Sequence, residues 1–169
     1  HTAARSRPPA ALSRFVIPIG RPPAPAIGPP AVVPPRAATR DAGFLPHLSL
    51  VAVEGDDVLG HVIATRGWLE PLGHPVLGLG PLGVRPEHQR AGIGTVLVHA
   101  LLAVAEAADE RLVALLGSPD YYGRFGFVPA AELGIAAPDP AWGEHFQARH
   151  INGRAVQGTF RYAEPFHRL

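Results

Sequence analysis

A long amphipathic helix is the feature that most constrains the fold of this chain. Apolar residues recur at steps of three and four between Ile93 and Ala108, which is the spacing of one helix face. No Gly or Pro follows Gly94 within the stretch, so helix propensity agrees with the pattern. We expect the helix to end near Asp109-Glu110 after about 16 residues, or about 24 Å. The predicted apolar face contains Ile93, Val96, Leu97, Ala100, Leu101, Val104, Ala105 and Ala108.

Strand-like sequences lie on both sides of this helix. Val76 to Val84 and Leu112 to Leu116 are short apolar runs, and a strand, a crossover helix and a second strand form a right-handed parallel unit. Pro81 and the neighbouring glycines favour a bulge or a splay in the first of these strands. The pattern predicts an α/β fold.

Other segments add antiparallel strands to this unit. Leu48–Val53 and Val58–Thr65 are β-rich and are separated by Glu54-Gly55-Asp56-Asp57, which is typical of a hairpin turn. A turn-rich stretch follows from Trp68 to Pro75. Phe146–Ile151 and Val156–Tyr162 resemble two more strands, joined by an Asn-Gly turn. The whole is therefore predicted to be a mixed β-sheet flanked by helices.

A second, short helix is predicted directly after the Leu112–Leu116 strand. Ser118 stands at the N-cap position and Pro119 at the first helical position. The helix is expected to run through Arg124 and to stop at Gly126.

The loop from Gln89 to Gly94 is predicted to bind an anion. The first turn of a helix carries free backbone N–H groups and the positive end of the macrodipole, which stabilise an anion placed there. Gly92 and Gly94 have no Cβ that would keep the anion away, and Arg90 offers a planar fork of donors.

Several other phosphate or nucleophile chemistries are excluded. Gly78 to Gly83 matches Gly-x-Gly-x-x-Gly, but the third glycine leads into Val84-Arg85-Pro86 instead of opening a helix, so we reject a dinucleotide site. The chain contains no Lys, which excludes a P-loop and a Schiff-base lysine. It also contains no Cys, which excludes disulfides, thiolate nucleophiles and sulfur-ligated zinc.

The first 40 residues differ in composition from the rest of the chain. They hold six arginines and no acid, whereas residues 41–169 hold nine arginines and fourteen acids. Ten of the twenty prolines occur by Pro35, which favours extended backbone. We expect residues 1–40 to be a poorly ordered basic segment and residues 41–169 to be the folded domain. One exception is Arg14–Ile19, which could form an edge strand, where Pro is tolerated.

Two motifs in the folded domain resemble a known enzyme family. Val84 to Gly94 looks like the acetyl-CoA motif of the GNAT N-acetyltransferase superfamily, Gln/Arg-x-x-Gly-x-Gly/Ala. Gly117 to Phe127 resembles the Tyr-x-x-x-Gly-Phe segment of the same superfamily, with Tyr122 at the tyrosine position, and its wording is closest to a bacterial branch. The two motifs lie about 30 residues apart and in the family's order.

The resemblance implies a fold, a cofactor and a role for each matching residue. The fold would be the GNAT acyltransferase fold with its splayed sheet, and the donor would be acetyl-CoA. Tyr122 would protonate the departing CoA thiolate. The backbone of Leu82, Gly83 and Val84 would pair with the pantetheine arm, with one amide polarising the thioester carbonyl. The pyrophosphate loop would comprise Gln89, Arg90, Ala91, Gly92, Ile93, Gly94 and Thr95, and Ser118 and Tyr121 would line the cofactor channel.

Acyl transfer to an amine fits the residues that the chain has. The reaction needs a neutral amine, help for an oxyanion and an acid for the leaving thiolate. A phenol with a pKa near 10 is protonated at neutral pH and can give that proton. The general base stays open among His61, Glu70, His74, Glu87 and ordered water.

The remaining expectations concern partners and location. The acceptor would be a small-molecule or peptide amine. The nine histidines show no metal-ligand rhythm, so no metal is expected. Trp68 and Trp142 fit packing or pocket-wall positions. We expect a cytoplasmic enzyme with no membrane and no nucleic acid partner, and a homodimer is compatible with the sequence.

Two alternatives to the enzyme are kept. The superfamily normally has a first strand and two helices before the hairpin, and residues 1–39 show no helical periodicity. The chain could thus be a non-catalytic CoA-binding or partner-binding module with a degenerate acceptor site. Alternatively, the basic Pro-rich segment could bind nucleic acid by neutralising phosphates.

Overall fold

The computed structural model describes the backbone of residues 15–18 and all of residues 43–163. The disorder predicted for residues 1–40 therefore concerns mostly residues outside this description. The strand predicted near Phe15 is present. It is β1 (Phe15–Pro18), which runs parallel to β2 at the edge of the sheet, where its terminal proline costs no central ladder hydrogen bond.

Nine strands form one mixed sheet within the described residues. Its order is β1-β2-β3-β4-β5-β8-β6, and β9 pairs with both β3 and β7. The bounds are β2 (Phe44–Glu54), β3 (Asp57–Glu70), β4 (His74–Val84), β5 (Leu112–Leu116), β6 (Val128–Pro129), β7 (Ile135–Ala136), β8 (Phe146–His150) and β9 (Gly158–Tyr162). The helices are α1 (Ile93–Ala107) and α2 (Pro119–Tyr122), and 3-10 turns cover Pro86–His88, Gly123–Phe125, Ala130–Leu133 and Pro140–His145.

The predicted hairpin and the predicted parallel unit are both present. Glu54 pairs directly with Asp57 across the turn between β2 and β3. The chain then passes from β4 through α1 to β5, and β4 and β5 are parallel. The sheet is mixed because an antiparallel meander is followed by this crossover.

Strands β4 and β5 stay together only at their base. Their paired residues run from Leu77–Val113 to Leu79–Leu115. Beyond that point β4 continues to Val84 and pairs with β3 alone among the described strands. The register between β3 and β4 also shifts between Val62 and Ala64, so β4 carries an extra residue near Gly80 and Pro81. The predicted irregularity is confirmed, and it opens a gap between the two strands.

Each face of the sheet buries its own core. On one face α1 packs against β2, β3 and β4, and Leu97, Val98 and Leu101 are fully buried there. On the other face Phe146 and Phe160 anchor a second cluster. Strand β5 serves both faces, since Val113 and Leu115 belong to the first cluster whereas Leu112 and Ala114 belong to the second.

Two local predictions need correction. The turn between β3 and β4 does not begin at Trp68, because β3 continues to Glu70, paired with β4 as far as Leu69 and with β9 from Gly67 to Glu70. The buried face of α1 is also rotated from the predicted one. Val98 and Leu102 are buried and Val96 is 40% exposed. Apolar residues lie on nearly every side of α1 itself, so their periodicity alone does not determine which side is buried.

Candidate functional site

A cleft of about 640 Å³ opens where β4 ends and α1 begins. Leu82 and Val84 form its apolar wall, and the first turn of α1 forms its floor. Strand alternation explains why Gly83, between them, does not line it. The lining residues are Leu82, Val84, His88, Gln89, Arg90, Gly92, Ile93, Gly94, Thr95, Tyr121 and Arg124.

The start of α1 leaves backbone donors free to bind an anion. Gly92 is the N-cap, and no side chain among the described residues caps the first turn. The first N–H groups of a helix have no partner within the helix. No acidic residue occupies this turn, so the positive end of the helix dipole is uncompensated and faces the cleft.

The backbone before α1 is turned to present these donors. Arg90 has φ 63° and Gly92 has φ 83°, and left-handed residues in such loops direct successive N–H groups to one side. A left-handed conformation is unfavourable for arginine by about 1 to 2 kcal/mol, and strain of this kind is characteristic of binding loops. The Gln89 side chain stabilises the loop by donating its Nε2–H to the Val84 carbonyl at 3.2 Å.

Charge in the cleft is positive. Arg90 and Arg124 both line it, and none of the described lining residues is Asp or Glu. Tyr121 positions Arg124 by two contacts. The Arg124 guanidinium lies 4.5 Å from the centre of the Tyr121 ring, and its Nε–H donates to the Tyr121 carbonyl at 3.0 Å. The two terminal nitrogens of Arg124 make no hydrogen bond to any described residue. Such a set of donors suits a pyrophosphate.

Tyr122 lies beside the cleft and does not line it. It follows β5, with its ring against Gly117 and 4.9 Å from the Tyr121 ring, centre to centre. Phe127 and Phe125 contact it from the core side. Burial raises the pKa of the Tyr122 phenol above its ordinary 10.0, and the neighbouring Tyr121 raises it further.

Three other predicted site residues lie outside the lining. Gly83 faces the opposite side of the sheet, under His61. Ala91 is exposed on the loop. Ser118 is the N-cap of α2, but its side chain makes no capping hydrogen bond. Its carbonyl instead accepts the N–H groups of Tyr121 and Tyr122 at 3.1 and 3.0 Å.

Sequence reasoning missed two residues of the cleft, His88 and Arg124. Both stand inside the two motifs, and both are cationic or can become so. Their charge was a usable signal for an anion site.

The candidate bases are widely separated. Glu70 and His74 lie at the far end of β3 and β4, where Glu70 pairs with Arg161 at 2.9 Å and His74 contacts Arg111. His61 lies beside Gly83, and Glu87 is exposed in the turn before the loop.

Trp142 packs on Phe146 and Tyr162, in keeping with the packing role expected of it. No three metal-binding side chains come together in the residues that are described, and no helix there is long and apolar enough to cross a membrane.

Comparison with known proteins agrees with this geometry. The sequence pattern described as the acetyltransferase (GNAT) family matches residues 23–127. The chain belongs to the GNAT acetyltransferase family. It is accordingly an acetyl-CoA-dependent N-acetyltransferase, with the curled mixed sheet of that fold.

Two curated relatives from Escherichia coli K12 resemble this GNAT chain over most of its length. It is 32% identical to the uncharacterized N-acetyltransferase YjhQ over an alignment of 136 residues that covers 74% of this chain and 74% of the relative. It is 30% identical to the uncharacterized N-acetyltransferase YhbS over an alignment of 134 residues that covers 77% of this chain and 80% of the relative.

Two solved GNAT structures are similar as well. The E. coli YhbS complex with CoA has a TM-score of 0.67 at 30% identity, covering 75% of this chain and 72% of that one. A GNAT acetyltransferase from Brucella melitensis in complex with acetyl-CoA has a TM-score of 0.57 at 33% identity, covering 70% and 67%.

Proposed function

We propose that this GNAT enzyme moves the acetyl group of acetyl-CoA to a primary amine by direct attack, with Tyr122 as the general acid. The observation that carries the proposal is the start of α1 without a side-chain cap, which faces a cleft that contains Arg90 and Arg124 and no acid from the described part of the chain. The pyrophosphate of acetyl-CoA would lie there. The proposed phosphate loop comprises Gln89, Arg90, Ala91, Gly92, Ile93, Gly94 and Thr95, with Ser118 and Tyr121 toward the rest of the cofactor.

The pantetheine arm would run along the free side of β4. Pairing with β5 ends at Leu79, so the backbone groups between Leu82 and Val84 that face away from β3 are available on that side, apart from the Val84 carbonyl, which accepts from Gln89. Paired backbone is the normal state of a buried strand. A pantetheine amide can satisfy these groups, and one backbone N–H can stabilise the oxyanion that forms on the thioester carbonyl.

The position of Tyr122 fits an acid for the leaving group. It follows β5, on the other side of the gap from β4. Because burial raises its pKa above 10.0, the phenol is protonated throughout the neutral range. The amine nitrogen forms a bond to the carbonyl carbon, the C–S bond breaks, and the phenol proton moves to the thiolate sulfur. Water then returns a proton to the phenolate.

The attacking amine must also lose a proton. His61 is the candidate that lies nearest the proposed pantetheine segment, because a Cβ built on Gly83 would stand 2.9 Å from its Cε1. It lies on the face of the sheet opposite α1. Glu70 and His74 are about 30 Å away along the strands, so they do not serve this site.

The test is acetyl-CoA turnover with a panel of amines: a polyamine, an aminoglycoside, a peptide with a free N-terminus and a lysine peptide. The chain contains no cysteine, so a thiol reagent detects only released CoA. We expect thiol release that depends on one class of amine, and a rise in melting temperature with CoA. CoA stabilisation without transfer to any amine would instead favour a non-catalytic CoA-binding module. Absence of both would refute the proposal.

A further inference from the structure

We infer that Gln147 is a positioning residue for Tyr122, acting through the peptide of Gly117. The inference rests on the proposed acid role of Tyr122. Gln147 lies in β8, far from both motifs in sequence, and does not touch the cleft.

Gln147 is a buried polar side chain that makes one hydrogen bond through its amide N–H and none through its amide oxygen to the described residues. It is 1% exposed and pairs with Leu115 of β5 on one side and Pro129 of β6 on the other. Its Nε2 donates to the Gly117 carbonyl at 3.0 Å. Its Oε1 has no hydrogen-bond partner among the described residues. An unpaired buried acceptor lowers the stability of the fold, so stability does not explain this residue.

Two hydrogen bonds hold the backbone of Gly117, and Gln147 donates one of them. The Gly117 N–H donates to the His145 carbonyl at 2.9 Å, and the Gly117 carbonyl accepts from Gln147. Gly117, which directly follows β5, is thus held by His145, just before β8, and by Gln147 of β8. The next residue, Ser118, accepts the N–H groups of Tyr121 and Tyr122, so this anchor sets the start of α2.

The ring of Tyr122 rests directly on Gly117. A Cβ built on Gly117 would overlap Cε2 of the ring and stand 2.9 Å from Cδ2. Three aromatic rings, those of Tyr121, Phe125 and Phe127, also meet Tyr122 at tilted or perpendicular angles. The Tyr122 hydroxyl makes no hydrogen bond to a described residue. A shift of the Gly117 peptide would therefore move the ring, and with it the proton that Tyr122 is proposed to donate.

The experiment compares Gln147→Leu with Gln157→Leu, the same change at an exposed site. For Gln147→Leu we expect a melting temperature close to that of the parent, because removal of the unpaired Oε1 offsets the loss of the donor to the Gly117 carbonyl. We expect kcat to fall about tenfold while the KM for acetyl-CoA stays within about twofold. Ring-labelled NMR should show shifted Tyr122 resonances and unshifted Tyr162 resonances. Gln157→Leu should behave like the parent, and Gln147→Met serves if the leucine variant does not fold.

A double-mutant cycle separates positioning from general packing. In a Tyr122→Phe background there is no phenol proton to misplace, so Gln147→Leu should change kcat less than about twofold. An equal fall in both backgrounds, or unmoved Tyr122 resonances, would overturn the inference. If Tyr122→Phe itself leaves kcat unchanged, the acid role fails on its own, and the resonances still decide whether Gln147 positions the ring.

Discussion

The hydroxyl of Tyr121 lies against the backbone of Gly94. A Cβ built on Gly94 would stand 2.6 Å from that oxygen and 3.8 Å from the ring carbon that carries it. The second motif, Gly117 to Phe127, therefore packs against the first turn of α1 through Tyr121. The two motifs together form one wall of the cleft. The absence of a side chain at Gly94 permits this contact.

The first prediction concerns that contact. Gly94→Ala should weaken CoA binding at least about tenfold, although alanine is the better helix former by about 1 kcal/mol. Adding Tyr121→Phe removes the oxygen that the new Cβ would meet, so part of the affinity should return. The measurement is the CoA dissociation constant by calorimetry. Gly123→Ala is the control, since a Cβ there meets nothing within 4 Å. Parent-like binding by Gly94→Ala would contradict the prediction.

The second prediction concerns the two arginines of the cleft. Arg90→Gln and Arg124→Gln should each weaken CoA binding about tenfold or more, because a hydrogen bond to a charged group contributes about 1.5 to 3 kcal/mol. Each change should also reduce the dependence of binding on salt, since one ion pair is removed. Arg154→Gln, on an exposed loop outside the cleft, should leave both quantities unchanged. Equal effects of all three changes would point to net charge instead of the cleft.

A third prediction tests the acid. Tyr122→Phe should lower kcat about 100-fold or more, within the range for general acid catalysis, while the CoA dissociation constant stays close to the parent value. Tyr162→Phe is the matched control, because Tyr162 is also a half-buried phenol but packs on Trp142 and Phe160 in the other core. Loss of CoA binding by Tyr122→Phe would mean that the ring is structural.

The fourth prediction concerns stability at alkaline pH. Burial raises the pKa of both Tyr122 and Tyr162, so each phenol ionises less readily in the folded chain than in the unfolded chain. Their contribution is fully present below pH 10 and is lost as pH rises through the folded pKa values. Urea midpoints measured from pH 8 to pH 11 should fall above about pH 10. The double Phe variant should show a shallower fall, and an equally steep one would assign the effect to other groups.

A fifth prediction compares two ion pairs. Arg66 donates to both carboxylate oxygens of Glu110 at 2.7 and 2.8 Å, and their side chains are 19% and 9% exposed. Glu110→Ala leaves Arg66 with the Val76 carbonyl at 3.3 Å but without a carboxylate, and it should cost about 3 kcal/mol. The pair Arg161–Glu70 is 43% and 40% exposed, so Glu70→Ala should cost less than about 1 kcal/mol. Denaturant unfolding gives both values, and similar losses would contradict the difference in burial.

Local pattern was sufficient for the elements that build the cleft. The hairpin turn at Glu54–Asp57, the loop before α1 and the short strand β5 each have a signal within a few residues. The second motif likewise led to Tyr121 and Tyr122, although their different positions, one lining the cleft and one beside it, needed the structure.

Long-range pairing could not be read in this way. Trp68 in β3 pairs with Pro75 of β4 and also with Arg161 of β9, and this second contact, between residues far apart in sequence, leaves no periodic trace at either end. The buried face of α1 was also missed, since nearly every face of this helix is apolar. Gln147 has no sequence signal, because the role inferred for it depends on its hydrogen bond to Gly117, which only the fold reveals.

The divergence of β4 from β5 gives the sheet an internal edge. Exposed edges invite further strands to add to a sheet and are a common origin of aggregation. Here the edge is closed at Leu79 and spans only residues 80–84, or about 16 Å. A ligand or strand can enter the gap between β4 and β5 from its open end, but it cannot extend beyond Leu79, where the two strands pair. The same divergence that offers backbone to a slender ligand therefore also prevents the sheet from propagating there.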